Sequence, residues 1–431
     1  TIHRVAWSGG LGTGFYWPSK IDGPGSTHVL KMKVIDAKGI KRKLSPKHHP
    51  HLFHALVHAH LGAGFFLAEI RIGEIVNNYL VKRTNTLYKN VRDLKEKTKE
   101  INLLDAESFM FQWFPYDATD KASGHQIRVT LCERTNDIPS EATKVRPYTV
   151  SEVWKKLMIT EASEYIIEAI AGNEKLRKFY PLITQAAAFD TFGSEERTVE
   201  VGDAATIMHP FKTYTDQEMS DVNPCILVKD TREANKLWRE LLDICDAFYK
   251  ETNALYQFNI VARLVKGIPD PAGIRGIAPC IVDNPGELKL AFEVLEHEAL
   301  AHTDGAKELR KRIFNHLSSH KFVLHHGKTP VEGIETLEKQ FNKDELSKKR
   351  LAAFREAVIE LGGDHSSLLT KKKRAYIFSK EAETHEKHKE RLLAPKQKGQ
   401  DKVHEVAPEK IVELFKEDPE LLNRAKKLIA E

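Results

Sequence analysis

The sequence predicts an α+β protein built around an antiparallel sheet, and three observations carry that expectation. Strand-length runs with alternating or apolar character recur, as in "SFMFQWFP" and "QIRVTLCE". They alternate with stretches of helical period, the longest being "TREANKLWRELLDICDAFYKETN". Near the start, "THVLKMKVIDAKGIKRKLS" reads as two runs around a turn at Asp36–Gly39, which is an antiparallel hairpin signal.

Taken in order, residues 1–75 are strand-rich. After the hairpin, "HPHLFHALVHAHLGAGFFLAEIRI" predicts a short amphipathic helix, a glycine break at Gly62–Gly64 and a further strand. Residues 76–345 carry the interspersed strands and helices of an antiparallel α+β domain. Residues 346–431 form a charged helical tail. It opens within "KDELSKKRLAAFREAVIELGG", a helix with a glycine stop, and continues as a Lys/Glu/His-rich run to residue 405. The end, "APEKIVELFKEDPELLNRAKKLIAE", makes two short helices with Pro408 and Pro419 in first turns and Asp418 as an N-cap. Leu421, Leu422, Ala425, Leu428 and Ile429 form one apolar stripe there, which must dock on this body or on a neighbouring subunit.

Composition narrows the function classes. At 431 residues the chain is long enough for two or three domains, and 41% hydrophobic with 29% charged residues is ordinary for a globular protein. A net charge of +5 is mild, and no basic module interleaved with aromatics is present, so no nucleic-acid partner is expected. Cys132, Cys225, Cys245 and Cys280 lie far apart and read as reduced core residues. No stretch of 18 apolar residues occurs, so no transmembrane helix is expected. The chain starts at Thr1 with the strand-like "TIHRVAW", which predicts that a segment upstream is not included.

"WSGGLGTGFY" concentrates Gly9, Gly10, Gly12 and Gly14, a composition suited to close approach of backbone to a phosphate. A dinucleotide-binding turn needs G-x-G-x-x-G between a strand and a helix, and here the third glycine is misplaced and a loop and hairpin follow. A P-loop also fails, because no Gly-Lys-Ser/Thr follows at its spacing. A ligand-free turn between strands is the alternative. His54 and His58, four apart, share a helix face that could hold a metal, yet no acidic third ligand lies nearby. "HEALAH" imitates a zinc-protease motif with one residue too many, which puts His297 and His302 on different helix faces. No metal site is therefore expected.

The order of motifs supplies a different account. "GGLGTG…HVLKMKVIDAKGIKRKLSPKHHPHLFHAL…HLGAGFFLAEIRI" resembles the second half of the FAD-binding domain of the vanillyl-alcohol-oxidase type. That resemblance implies FAD as cofactor, with Gly9, Gly10, Gly12, Thr13 and Gly14 lining its diphosphate or ring and Gly62 and Gly64 near its other end. The first half of such a domain, with its main diphosphate-binding loop, would lie upstream of Thr1. "FQWFPYDATDK" at 111–121, "ARLVKGIPDP" at 262–271 with "IAPC" at 277–280, and "LHHGK" at 324–328 are similar to the cap domain of the sugar-lactone (aldonolactone) oxidase and dehydrogenase group. The architecture so implied is a partial FAD-binding domain at 1–75 and a substrate-binding cap at 76–345, and the tail has no counterpart in it.

The activity implied by the resemblance is flavin-dependent oxidation of a C–OH in a sugar lactone or related alcohol, with oxygen or cytochrome c as acceptor. Hydride transfer to flavin needs a group to take the hydroxyl proton and a cation to stabilise the anionic reduced ring. By resemblance Arg263 and Lys328 supply positive charge and His325 orients substrate or ring. Three positions depart from the pattern: Val261 stands where an acid is expected two before the arginine, Met110 replaces an acid in the strand before "WFP", and His326 replaces a tryptophan. Valine and methionine accept no proton, which predicts impaired catalysis unless another base is present. The second reading is a degenerate flavoenzyme homologue serving as an accessory or scaffold subunit, held to other subunits by the tail. That reading carries the expectation of a mitochondrial location, with a cytoplasmic one otherwise.

Overall fold

A computed structural model describes residues 29–36, 39–57, 66–72, 80–144, 173–203, 219–222, 224–253, 255, 257–266, 288–320, 322–324 and 345–362. Strands β1 (Val29–Ile35) and β2 (Lys41–Leu44) form the expected hairpin, pairing Met32 with Leu44 and Ile35 with Lys41. Its turn is made by Asp36, whose carboxylate accepts from the Ile40 amide at 2.8 Å, and by Gly39 at φ 78°. Only glycine takes that φ without a steric cost, so the turn explains this residue. Helix α1 (Pro50–Val57) follows, and β3 (Phe66–Ile72) returns against β1 to complete a three-stranded sheet in the order β2-β1-β3. The first helix and strand expected from the sequence are both present.

The larger sheet is antiparallel throughout, in the order β12-β9-β11-β10-β5-β6-β4-β7, with β8 also pairing β11. Its strands are β4 (Leu80–Tyr88), β5 (Ser108–Trp113), β6 (Ile127–Thr135), β7 (Arg197–Asp203), β8 (Met219–Val222), β9 (Pro224–Val228), β10 (Gln257–Lys266), β11 (Leu288–His297) and β12 (Phe322–Leu324). Helix α2 (Val91–Thr98) follows β4, and α3 (Tyr180–Phe192) precedes β7. Helix α4 (Thr231–Thr252) follows β9, and the short α5 (Glu298–Ala301) and α6 (Asp304–Leu317) follow β11. This mixture of helices with an antiparallel sheet is the α+β class the sequence predicts.

Helix α4 shows why these residues choose their elements. Asp230 caps it by accepting from the Glu233 amide at 2.8 Å, and the Glu233 carboxylate reaches back to the Lys229 amide at 2.6 Å. Asn253 ends it in the left-handed region at φ 50°. Between these caps Ala234, Leu237, Trp238, Leu241, Leu242, Cys245, Phe248 and Tyr249 repeat at helical spacing and are all buried. Trp238 stands edge-on to Phe109 and Phe111 of β5, with ring centroids 5.3 and 5.2 Å away. Burying each such side chain contributes about 1.5–3 kcal/mol, so this face fixes the helix on the sheet.

Helix α7 (Glu345–Glu360) begins the segment the sequence assigns to the tail, yet it packs on α1 of the first segment. Glu360 accepts from Arg42 at 3.2 Å and meets His51 at 2.9 Å, while Leu351, Ala357, Val358 and Leu361 are buried. Gly362, at φ 70°, supplies the expected glycine stop. The terminal stripe at Leu421, Leu422, Ala425, Leu428 and Ile429 lies outside the described residues.

Candidate active site

An antiparallel strand sends successive side chains to opposite faces, and directly paired residues share a face. On one face of the large sheet Phe109, Phe111, Trp113, Ile260, Ala262, Phe292 and Val294 pack with α4 and α6 into the main core. The other face carries the residues between them, and there polar side chains stand among buried apolar ones. On β10 the polar ones are the buried Asn259 and the partly buried Arg263, on either side of Val261. On β5 they are Ser108 and Gln112 beside Met110, on β6 Thr130, and on β11 Lys289 and Glu293.

Strand register assembles these side chains into a row. Val261 pairs with Glu293 on one side and Gln112 on the other, while Arg263 pairs with Ala291 and Met110. Arg263 Nη2 lies 3.6 Å from Glu293 Oε2, with the two side chains 14% and 3% exposed. The guanidinium therefore offsets the charge of a carboxylate that would be costly to bury alone. Arg128 of β6 extends the row. It donates to Gln112 Oε1, donates to the Thr191 carbonyl at 2.9 Å, and lies 5.0 Å from the centre of the Phe192 ring. Thr191 is in the last turn of α3, where free carbonyls favour a cation. Beyond it Thr130 donates to Asn85 at 2.8 Å, and Asn85 donates to Thr198 at 3.0 Å.

Of the residues singled out in the sequence, Arg263 is thus in this polar row. Val261 and Met110, the two positions that replace an acid, are its neighbours, while His326 lies outside the described residues. Val261 and Met110 are apolar, as read, but a carboxylate sits directly across the strand from Val261. Sequence reasoning missed Glu293. The available signal was charge within apolar strand text: in "LKLAFEVLEH" Lys289 and Glu293 fall on one face, four residues apart. Gly9, Gly10, Gly12, Thr13, Gly14, Gly62, Gly64, His325 and Lys328 lie outside the described residues, as does His58. His297 ends β11 and His302 follows the four-residue α5, so the two do not share a helix at all.

Cys132, Cys225 and Cys245 are buried free thiols, as expected for reduced core residues, and Cys280 lies outside the described residues. Burial pushes the Cys132 thiol up to about 12, and raises that of Cys245 as well. They are therefore unsuited to nucleophilic chemistry. Among the described residues no helix is long and apolar enough to cross a membrane.

No protein-family model matches the chain, and no curated protein does. Among solved structures, a crystal structure of 6-hydroxy-D-nicotine oxidase from Arthrobacter nicotinovorans is similar at 14% identity and a TM-score of 0.42. The match covers 80% of this chain and 66% of that one, so the chain spans less than two thirds of that enzyme's length. A likeness this slight carries nothing about activity.

Proposed function

We propose that the chain is an FAD-dependent oxidoreductase that takes a hydride and a proton from a C–OH group, with Glu293 as the base. The observation that carries the reading is the Glu293–Arg263 pair, whose buried carboxylate lies across from Val261, the position where the sequence resemblance calls for an acid. The donor set fits a flavin: one carboxylate to accept a proton, and guanidinium charge to offset an anionic reduced ring. Gly9, Gly10, Gly12, Thr13, Gly14, Gly62 and Gly64 are the residues that would hold the cofactor, on the strength of the sequence resemblance alone. Bound FAD would supply the hydride acceptor.

This chain's residues do the rest. Glu293 accepts the hydroxyl proton, so its carboxylate becomes neutral as the alcohol becomes a carbonyl. Arg263 holds the carboxylate in place beforehand and contributes positive charge where negative charge develops. Arg128 fixes Gln112 against the same row and so keeps it ordered. A sugar lactone or related polyol remains the proposed substrate class, on the cap resemblance, with His325 and Lys328 as further site residues.

The test is the visible spectrum of the purified full chain followed by turnover with simple aldonolactones and sugar alcohols. Flavin absorbance with turnover in the wild type, and a loss of about 10²–10⁴-fold in Glu293→Gln at unchanged flavin content, is the expected result. Wild-type turnover that survives Glu293→Gln would remove this carboxylate from the chemistry. A protein with no flavin would remove the oxidoreductase reading and favour the accessory subunit.

A further inference from the structure

Away from this row, on the face of the sheet that carries the helices, three metal-ligating side chains come together. Glu240 projects from α4, His316 from the last turn of α6 and His320 from the residues just after it. One ligand atom from each lies within 4.8 Å of the other two. Glu240 Oε2 and His316 Nε2 are 3.2 Å apart, and the two imidazole rings are 5.7 Å apart, tilted by 43°. Ligands about 2.0–2.1 Å from a tetrahedral zinc are about 3.3 Å from one another. The Glu240–His316 separation already meets that spacing, and small side-chain rotations bring in His320.

We propose that Glu240, His316 and His320 form a binding site for a divalent transition metal of the zinc type, with a fourth position left to water. Two imidazoles with one carboxylate select zinc, copper, nickel or cobalt over magnesium and calcium, which prefer all-oxygen shells. The placement explains why three such side chains converge between two helices. All three are half-buried, so a metal reaches them from solvent while the α4–α6 core lies beneath. Lys236, 3.8 Å from the other Glu240 oxygen, is mostly exposed and free to swing into water when the metal enters. The sequence already holds the i, i+4 pair in "HLSSH", but Glu240 lies 76 residues from His316, so only the packing of α4 on α6 completes the set.

This site is independent of the flavin reading, and its test needs no activity. The full chain, stripped with chelator, is titrated with ZnCl2 against a chromophoric competitor, alongside His316→Ala/His320→Ala, Glu240→Gln and the exposed control His302→Ala. Wild type and the control are expected to bind one tight equivalent that the double variant lacks. Removing even a supporting partner of a metal ligand costs about 10–100-fold in affinity, so losing a ligand costs no less. Thermal unfolding separates a metal site from a simple ion pair: His320→Ala alone should melt with wild type in chelator and lag behind it only when zinc is present. Equal zinc affinity in the double variant and wild type would overturn the site. So would a Mg2+ affinity matching that for zinc.

Discussion

Glu293 owes its proposed role to one register position, because a slip of one residue would send it into the apolar core in place of Phe292 and Val294. A related charge on the core side shows what such burial demands. Glu296 is fully buried and paired with Arg310 of α6, which also donates to the Ala301 carbonyl at 2.6 Å. Arg310→Ala leaves that carboxylate buried without its partner and should cost about 3–5 kcal/mol, read as a lower denaturant midpoint. The thiols give a second check. With Cys132 pushed up to about 12 by burial and Cys245 raised by the same cause, these two thiols are protonated at about pH 8, and Cys225 is buried as well. Iodoacetamide at that pH should leave all three unmodified in native protein and label them once denaturant is added.

Helix α4 is the element on which most of the core depends, and the structure shows how it is capped. Asp230 satisfies the Glu233 amide, which the first turn cannot satisfy within the helix, and the Glu233 carboxylate satisfies the Lys229 amide just before it. Asp230→Ala should cost about 1 kcal/mol by chemical denaturation, with no change in the native circular dichroism spectrum. Trp238→Ala, on the buried face of the same helix, empties the space between Phe109 and Phe111. It should cost about 3–5 kcal/mol, several times the loss of the cap. Comparable losses in the two variants would mean that α4 does not rest on β5 in this way.

For the whole molecule, the contact of α7 with α1 ties residues near 355 to residues near 50. Its polar part is exposed or partly exposed and contributes little, so the buried Val358, Ala357 and Leu361 must carry it. Val358→Asp puts an unpaired charge in that contact and should release α7. Limited proteolysis should then cut near 345–362 and near the β1–β2 hairpin, while the fragment holding the nine-stranded sheet persists. Uniform resistance in that variant would show that α7 is held by something other than this apolar contact.

Local chemistry determined much of this protein from its sequence: the hairpin at Asp36–Gly39, the helical period of α4, the strands around 108–113 and 127–135, and the glycine stop of α7. Each of these depends on residues within one or two turns of one another, so period and turn chemistry are enough to read them. Arg263 could be singled out, but not its surroundings. The pairing of Val261 with Glu293, 32 positions along, depends on a strand register set by which faces bury against α4 and α6. Glu240 and His316 likewise meet only because two apolar helix stripes pack together. Side chains far apart in the chain acquire a shared chemistry when burial of the apolar face dictates where the polar one goes, and that decision belongs to the tertiary structure.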